Sequence, residues 1–331
     1  MAPIPDSFRA LVAEQRDGDV DRGLRDLSPD DLPEGDVTVR VRFSSVNYKD
    51  ALAVSPKGRV ARTSPLVPGI DLAGEVIDGE GAGGEVIVHG YDLGVAHHGG
   101  YAEYARVPAG WVVPLPDGLS ARQAMALGTA GYTAAYSVVQ LEDRGLQPDQ
   151  GPVLVLGASG GVGSTAVGIL AARGYEVHAS TGKPDEAGFL RELGAAEVLS
   201  RDETAQQPER PLQKQLWAAV VDPVGGASTA YALSTTRYGG AVALTGMTGG
   251  AEFTSSVFPL ILRNVALLGV DSVGTDIEVR RRVWERLAGD LRPRGLDEAI
   301  TREIDLDAVD PFLDEILAGR GRGRTVVKVG G

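Results

Sequence analysis

Pro152-Val-Leu-Val-Leu-Gly157 runs straight into Ala158-Ser-Gly160-Gly161-Val-Gly163. Four consecutive apolar residues, Val153 to Leu156, cannot alternate between a wet and a dry face. They read as a short strand buried on both sides, as found inside parallel sheets. A helical segment, Val162 to Arg173, follows the glycines. Strand, Gly-rich turn and helix form the context in which G-x-G-x-x-G holds a dinucleotide. Here Ala158 stands at the first motif position, Gly160 at the second and Gly163 at the third. Gly160 and Gly161 let the backbone approach a pyrophosphate, and Gly163 lets the helix close on the sheet. The helix start through Gly161 and Val162 offers N–H groups and a positive dipole end to an anion. Ser159 adds a hydroxyl donor. The plainer reading is a Gly-rich turn without a ligand, and the neighbouring segments argue against it.

Downstream, strand and helix patterns alternate. Tyr175 to Ala179 reads as a strand and Asp185 to Leu193 as a helix ending at Gly194. Ala196–Leu199, Trp217–Asp222 and Ala241–Thr245 are further strands. Such alternation predicts a doubly wound α/β domain with a parallel sheet. Upstream the style differs. Val37 to Phe43 alternates apolar and polar residues, Glu75–Ile77 and Glu85–Val88 follow as short strands, and Gly99 to Val107 continues the pattern. Ser120 precedes an Ala-rich helix, turn, helix stretch broken at Gly128 and Gly131. Past Asn264 the chain becomes β again at Val265–Val270, and an amphipathic helix spans about Ile277 to Ala288. A helix near Val309–Ala318 and a strand at Thr325–Val329 close it. The simplest organisation is a discontinuous β-rich domain, 1–122 and 266–331, with the α/β domain, 123–265, inserted.

Composition narrows the function classes. The chain has 331 residues and a formal net charge of −13, which argues against binding nucleic acid through phosphate neutralisation. It has no Cys, which removes disulfides, thiolate nucleophiles and any sulfur-ligated metal. No apolar run reaches membrane-spanning length. Met1 to Phe8 lacks a secretion-signal pattern, so a cytoplasmic protein is expected.

Which nicotinamide cofactor is held depends on the tip of the second strand, where NAD binders place an acid on the ribose. Here that tip is Ser180-Thr181-Gly182-Lys183. Hydroxyls and an ammonium suit a 2′-phosphate. Arg201, ending the third strand, is a second cation for the same sheet edge. NADPH is therefore expected over NADH, unless both cations are merely solvated.

Several segments carry a family resemblance. They are Ser44-Ser-Val-Asn-Tyr-Lys-Asp-Ala-Leu-Ala53, Pro68-Gly-Ile-Asp-Leu-Ala-Gly74, Gly128-Thr-Ala-Gly-Tyr-Thr-Ala134, Gly157 to Gly163, Ile261-Leu-Arg-Asn-Val265, Gly269-Val-Asp-Ser-Val273 and Gly323-Arg-Thr-Val-Val-Lys328. The chain resembles the medium-chain dehydrogenase/reductase superfamily, in its zinc-free quinone-oxidoreductase-like branch, and within it the bacterial acryloyl-CoA reductases. The resemblance implies a Rossmann domain inserted in a discontinuous GroES-like domain, and a homodimer to which Val265–Val270 is one possible contributor. It also implies NADPH-dependent reduction of an activated C=C bond. Zinc members carry Gly-His-Glu-x-x-Gly where this chain has Gly69-Ile70-Asp71-Leu-Ala-Gly74, so no metal is expected.

Conjugate reduction places charge on the thioester oxygen, which needs fixed donors, and leaves the α-carbon in need of a proton. The resemblance puts Asn47, Tyr48 and Asp50 beside the nicotinamide. Tyr48 could donate a hydrogen bond or a proton, and also touch the cofactor. Asn47 could hold the cofactor amide or the substrate carbonyl. Asp50 and Asp71 could order the loop or bind the ribose; the structural alternative is capping near a helix start at Ala51. Thr129 and Thr133 are candidates for ribose or phosphate contacts, and Met247 and Ser272 for the nicotinamide end. Asn264 and Arg324 match family positions near the cofactor. Finally, Ser55-Pro-Lys57-Gly-Arg59-Val-Ala-Arg62 supplies three cations and no acid, which suits a CoA phosphate or a merely solvated loop. A general quinone or enone reductase and a non-catalytic NADPH-binding sensor are the competing readings.

Overall fold

The computed structural model describes residues 4–297 and 301–330. The chain divides into two units. The first takes the described residues up to Thr129, Ser272–Glu285 and those from Thr301 on, and the second takes 130–271 and the residues from Arg286.

The first unit begins with a hairpin, β1 (Phe8–Arg16) and β2 (Asp19–Leu27). Its main sheet holds β3 (Val37–Ser45), β4 (Asp71–Asp78), β5 (Glu85–His89), β6 (Tyr104–Val107), β7 (Val112–Pro114), β14 (Thr301–Asp305) and β15 (Arg324–Lys328). The order is β14-β15-β3-β4-β5-β7, with β6 also on β3. All pairs are antiparallel except β14 with β15. The alternation read in Val37–Phe43 has its cause here: Val37, Val39 and Val41 are buried while Arg40 and Arg42 face water. Helix α1 (Tyr48–Ala53) leaves β3 directly, and α9 (Val309–Leu317) lies over the same core. Helix α8 (Ile277–Ala288) matches the expected amphipathic segment. It buries Val283, Trp284 and Leu287.

A helical stretch, α2 (Ala121–Asp143), spans the division and is broken at Gly128 (φ 53°, ψ −158°). Gly131, the other expected breaker, sits inside helix. A Cβ on Gly128 would stand 2.5 Å from Asp71 Oδ2 and 2.7 Å from Ser45 Oγ, so both conformation and crowding demand glycine there.

The second unit is a six-stranded parallel sheet: β8 (Val153–Val155), β9 (Val177–Thr181), β10 (Glu197–Ser200), β11 (Trp217–Asp222), β12 (Thr236–Leu244) and β13 (Ala266–Gly269). Its order is β10-β9-β8-β11-β12-β13. Numbered within the unit this is 3-2-1-4-5-6, the doubly wound order whose switch point falls between β8 and β11. Helices α3 (Gly161–Ala172), α4 (Ala187–Glu192), α5 (Arg201–Thr204), α6 (Ala227–Thr235) and α7 (Phe258–Leu262) connect the strands. Val153 to Leu156 are fully buried, as their unbroken apolar run requires. The segment Val265–Val270 differs from its expected place. It forms the sixth parallel strand on β12 because Ala266–Gly269 pair in register with Ala241–Leu244. Among the described residues no helix is long and apolar enough to cross a membrane.

Candidate active site

The second unit carries a cavity of about 480 Å³ at the switch point. Gly157 and Ser159 from the turn after β8, Ser180 to Lys183 from the end of β9, and Arg201 at the start of α5 line it. The two expected cations thus share one cavity wall with the hydroxyls. An atom placed as Cβ on Gly182 would lie 2.8 Å from Arg201 Cζ, so the guanidinium lies across that turn. Ser159 Oγ and Thr181 Oγ1 are hydrogen-bonded at 2.9 Å, and Thr181 Oγ1 accepts from Lys183 N at 3.1 Å. Ser180 is tied to Thr204 at 2.6 Å. These bonds fix the turn that presents Lys183.

Helix α3 starts two residues after Ser159 of this lining, and Gly160 to Gly163 themselves lie outside it. Its N-cap is Gly160, which has no side chain to cap the first-turn N–H groups of Gly161, Val162 and Gly163. Gly163 is required inside the fold: a Cβ there would stand 2.4 Å from Gly157 O. The same test at Gly160 meets nothing closer than 3.4 Å, so internal packing does not demand that glycine and close approach of a ligand would.

Asp222 was not singled out from sequence. It is buried at the end of β11, where Oδ1 accepts from Val224 N and Gly225 N at 2.8 and 2.9 Å, and Thr229 Oγ1 donates to Oδ2. Burial raises its pKa. It holds the turn whose Val224, Gly225, Ala227 and Ser228 form the opposite cavity wall. An acid followed by Pro223-Val-Gly-Gly after a buried strand was the available signal. Met247, Thr133 and Asn264 lie outside this lining. Met247 is 69% exposed, Thr133 is buried in α2, and Asn264 is an exposed turn residue at φ 50°.

In the first unit, Asn47, Asp50, Asp71, Thr129 and Arg324 are brought together, with Ser45 and Tyr101 added. Helix α1 starts at Tyr48, three residues before the expected Ala51, with Asn47 as N-cap. Asp50 Oδ2 accepts from Asn47 N at 2.8 Å and from the Tyr101 hydroxyl at 3.1 Å, and Oδ1 accepts from Ile70 N at 2.8 Å. Asp71 Oδ2 accepts from Asn47 Nδ2 at 2.7 Å and from Ser45 Oγ at 2.5 Å, while Oδ1 takes the Thr129 hydroxyl and N–H. Both carboxyls are fully buried and so hold their neighbours instead of facing a ligand. Burial, with the Asp71 charge adding, pushes Asp50 up to about 7. Burial first, and Asp50 second, push the Tyr101 phenol well above its usual range.

Arg324 is also buried. Its guanidinium donates to Ala126 O, Val46 O, Asn47 Oδ1 and Ser45 Oγ. Burial lowers its pKa, and the Asp71 and Asp50 charges oppose this. Those bonds place the Arg324 head inside the unit, which departs from the expected cofactor contact. Thr129 departs likewise, since its hydroxyl is given to Asp71. Ser272 lends its carbonyl to Arg280. Tyr48, 49% exposed, presents its ring at the start of α1, beside the half-buried Asn47. In the basic loop, Lys57 and Arg59 are exposed, whereas Arg62 is paired with Asp92, an acid the local sequence did not reveal.

Residues 33–117 match the family described as "Alcohol dehydrogenase GroES-like domain", and residues 161–289 match "Zinc-binding dehydrogenase". The chain is 48% identical to the acrylyl-CoA reductase AcuI of Ruegeria pomeroyi, covering 97% of this chain and 99% of that one. The chain belongs to the medium-chain dehydrogenase/reductase superfamily, in its quinone-oxidoreductase-like branch. It is also 47% identical, over 97% of its length and 99% of the relative's, to YhfP of Bacillus subtilis, which is named as a quinone oxidoreductase. The yhdH oxidoreductase of Salmonella enterica, solved in complex with NADP, is similar at a TM-score of 0.94 and 48% identity, covering 97% of this chain and all of that one. A structure of Bacillus subtilis yhfP with NAD bound is similar at 0.95 and 47%, covering 97% of this chain and 99% of that one.

The zinc in the family description does not fit these residues. The chain offers no Cys, and among the described residues no three His, Asp or Glu side chains gather as a ligand set. His89 is packed between Trp284 and Arg280, His97 faces the His98 carbonyl, and His178 lies between Glu176 and Glu197.

Proposed function

We propose that the protein is an NADPH-dependent reductase of the C=C bond of a short enoyl-CoA such as acryloyl-CoA. The observation that carries this is the grouping of Lys183 and Arg201 with Gly157 and Ser159 of the glycine-rich turn on one cavity, just ahead of the helix start at Gly161. The helix start takes the pyrophosphate, and the two cations with Ser180 and Thr181 take the 2′-phosphate. When bound, NADPH supplies the hydride taken up by the substrate's β-carbon.

The chain's own groups complete the reaction. Asn47, held by Asp71 and Arg324, orients the thioester oxygen where negative charge develops. Tyr48 is the exposed hydroxyl next to it, placed to hand a proton to the α-carbon. Asp50 and Asp71 are positioning groups. Lys57 and Arg59 meet the CoA phosphates, a local positive patch on a chain of net charge −13.

The enzyme works as a homodimer in this reading. Strand β13 ends the parallel sheet, with no further strand beside it among the described residues, and α7 just before it exposes Phe258, Ile261 and Leu262. A second copy covers both.

The test compares NADPH oxidation with acryloyl-CoA against free enones and quinones at equal concentration. Saturable turnover that needs the CoA thioester supports the reading. Turnover of quinones with none of acryloyl-CoA assigns the chain to the general quinone reductases instead.

A further inference from the structure

The Asp222 carboxyl is fully buried, and the partners that hold it are neutral: the N–H groups of Val224 and Gly225 and the Thr229 hydroxyl. Burying an acid without a cation is costly, so these donors must offset that cost. What the acid holds is more than one turn. A second loop, Gly246–Gly250, is seated on the turn Pro223–Gly226. Asp222 O accepts from Thr245 N at 2.8 Å, where that loop leaves β12. Pro223 O accepts from the Thr248 hydroxyl at 3.3 Å, and Val224 O from Gly249 N at 2.7 Å. Gly225 then pairs with Gly250. The backbones lie so close that a Cβ on Gly225 would stand 2.5 Å from Gly250 O, and one on Gly246 2.5 Å from Pro223 O. Neither loop can shift without the other.

Both loops line the cavity. Val224 and Gly225 come from the first, and Thr248 and Gly249 from the second. They follow β11 and β12, on one side of the switch point, whereas Lys183 and Arg201 follow β9 and β10 on the other. The 2′-phosphate is all that distinguishes NADPH from NADH. With that phosphate on the two cations, whatever meets the glycine loops is common to both cofactors.

We propose that Asp222 is a positioning residue for the cofactor: through the two glycine loops it sets the width of the cavity, and so the affinity for NADPH and NADH alike. The inference rests on this cavity being the cofactor site, as proposed above. In Asp222→Asn the amide oxygen keeps the Val224 and Gly225 N–H groups, and the amide nitrogen donates to Thr229 Oγ1, a hydroxyl that also accepts. Asp222→Ala leaves both loops unheld. Thr229→Val removes only the Oδ2 donor, so the test does not depend on Asp222→Ala folding. Leu141→Ala is the stability control. Leu141 is buried in the same unit, on α2, and lies outside the cavity lining, so its truncation lowers stability by leaving a void.

The experiment titrates each full-length variant with NADPH and with NADH, follows cofactor fluorescence, and records Tm. Asp222→Ala is expected to bind both cofactors about tenfold or more weaker, by similar factors. Thr229→Val gives the same pattern at smaller size. Asp222→Asn returns both affinities to within about threefold of the wild type. Leu141→Ala binds both as the wild type does, despite its lower Tm. Loss of NADPH alone in Asp222→Ala, no loss there, no rescue by Asp222→Asn, or an equal loss in Leu141→Ala overturns the proposal. The double variant Lys183→Ala, Arg201→Ala is run beside them. If it binds NADPH as the wild type does, the assignment of the cavity to the cofactor fails, and this inference with it. If it loses NADPH while Asp222→Ala keeps both cofactors, only the role of Asp222 fails.

Discussion

The side-chain nitrogen of Asn47 donates to Asp71 Oδ2 at 2.7 Å. Arg324 donates to the other end of the same amide at 3.2 Å, so the Asn47 side chain has one orientation available. A buried carboxylate and a buried guanidinium thereby aim a neutral amide that neither could replace.

Replacing Asp71 by Asn keeps the shape and removes the charge that draws the Asn47, Ser45 and Thr129 donors. The Asn47 amide then competes with a second amide for acceptors. We expect kcat to fall at least about tenfold, while the KM for NADPH moves less than about twofold. Steady-state kinetics with both substrates varied checks this. A rise in the KM for NADPH at constant kcat would place Asp71 on the cofactor instead.

Asp50 makes stability depend on pH. Its folded pKa of about 7 lies above the ordinary carboxylate value, so between about pH 4 and 7 the folded chain binds a proton that the unfolded chain has lost. This group's contribution is full below pH 4 and is lost as pH rises toward 7. The slope approaches about 1.4 kcal/mol per pH unit at most. Urea unfolding of the wild type and of Asp50→Asn across this range should show the slope in the first and its absence in the second.

In the proposed reading Lys183 and Arg201 set the cofactor choice. Replacing both by Ala removes two charge-assisted contacts to the 2′-phosphate, each worth about 1.5–3 kcal/mol. The KM for NADPH should rise by a factor of about 100 or more while NADH is used as before. Equal losses for the two cofactors would assign these residues to general folding of the turn.

Lys57 and Arg59 are tested together with Arg62 left in place, because Arg62 already has Asp92. The double Ala variant should raise the KM for acryloyl-CoA several-fold, more at low salt than at high, and leave that for the pantetheine thioester unchanged. An unchanged KM for acryloyl-CoA identifies the loop as a solvated one.

Ile261, 70% exposed on α7, tests the dimer face. Ile261→Glu should shift the protein toward monomer in sedimentation without lowering the Tm of a dilute sample. A wild type that sediments as a monomer removes this part of the account.

The second unit was legible in sequence because its signals are local. Val153 to Leu156 could only be a doubly buried strand, and Gly163 could only be glycine against Gly157 O. Lys183 and Arg201 were legible from their strand-end positions. The buried network of the first unit was not, since Asp71, Thr129, Tyr101 and Arg324 come from four distant segments that only the folded sheet brings together. Asp92 opposite Arg62 was hidden for the same reason. The place of Val265–Val270 was missed because a short apolar strand carries no mark of which sheet it joins. The packing around His89 was hidden as well. Its partners Trp284 and Arg280 lie nearly two hundred residues away and show no pattern relating them to it.

The most direct test of the central claim follows the hydride itself. Acryloyl-CoA is reduced with NADPH carrying deuterium at the transferred position, in ordinary water, and the product is located by mass spectrometry. The account predicts propanoyl-CoA with deuterium on the β-carbon and a solvent proton on the α-carbon. Deuterium on the carbonyl carbon, or no product while quinones are reduced, would contradict it.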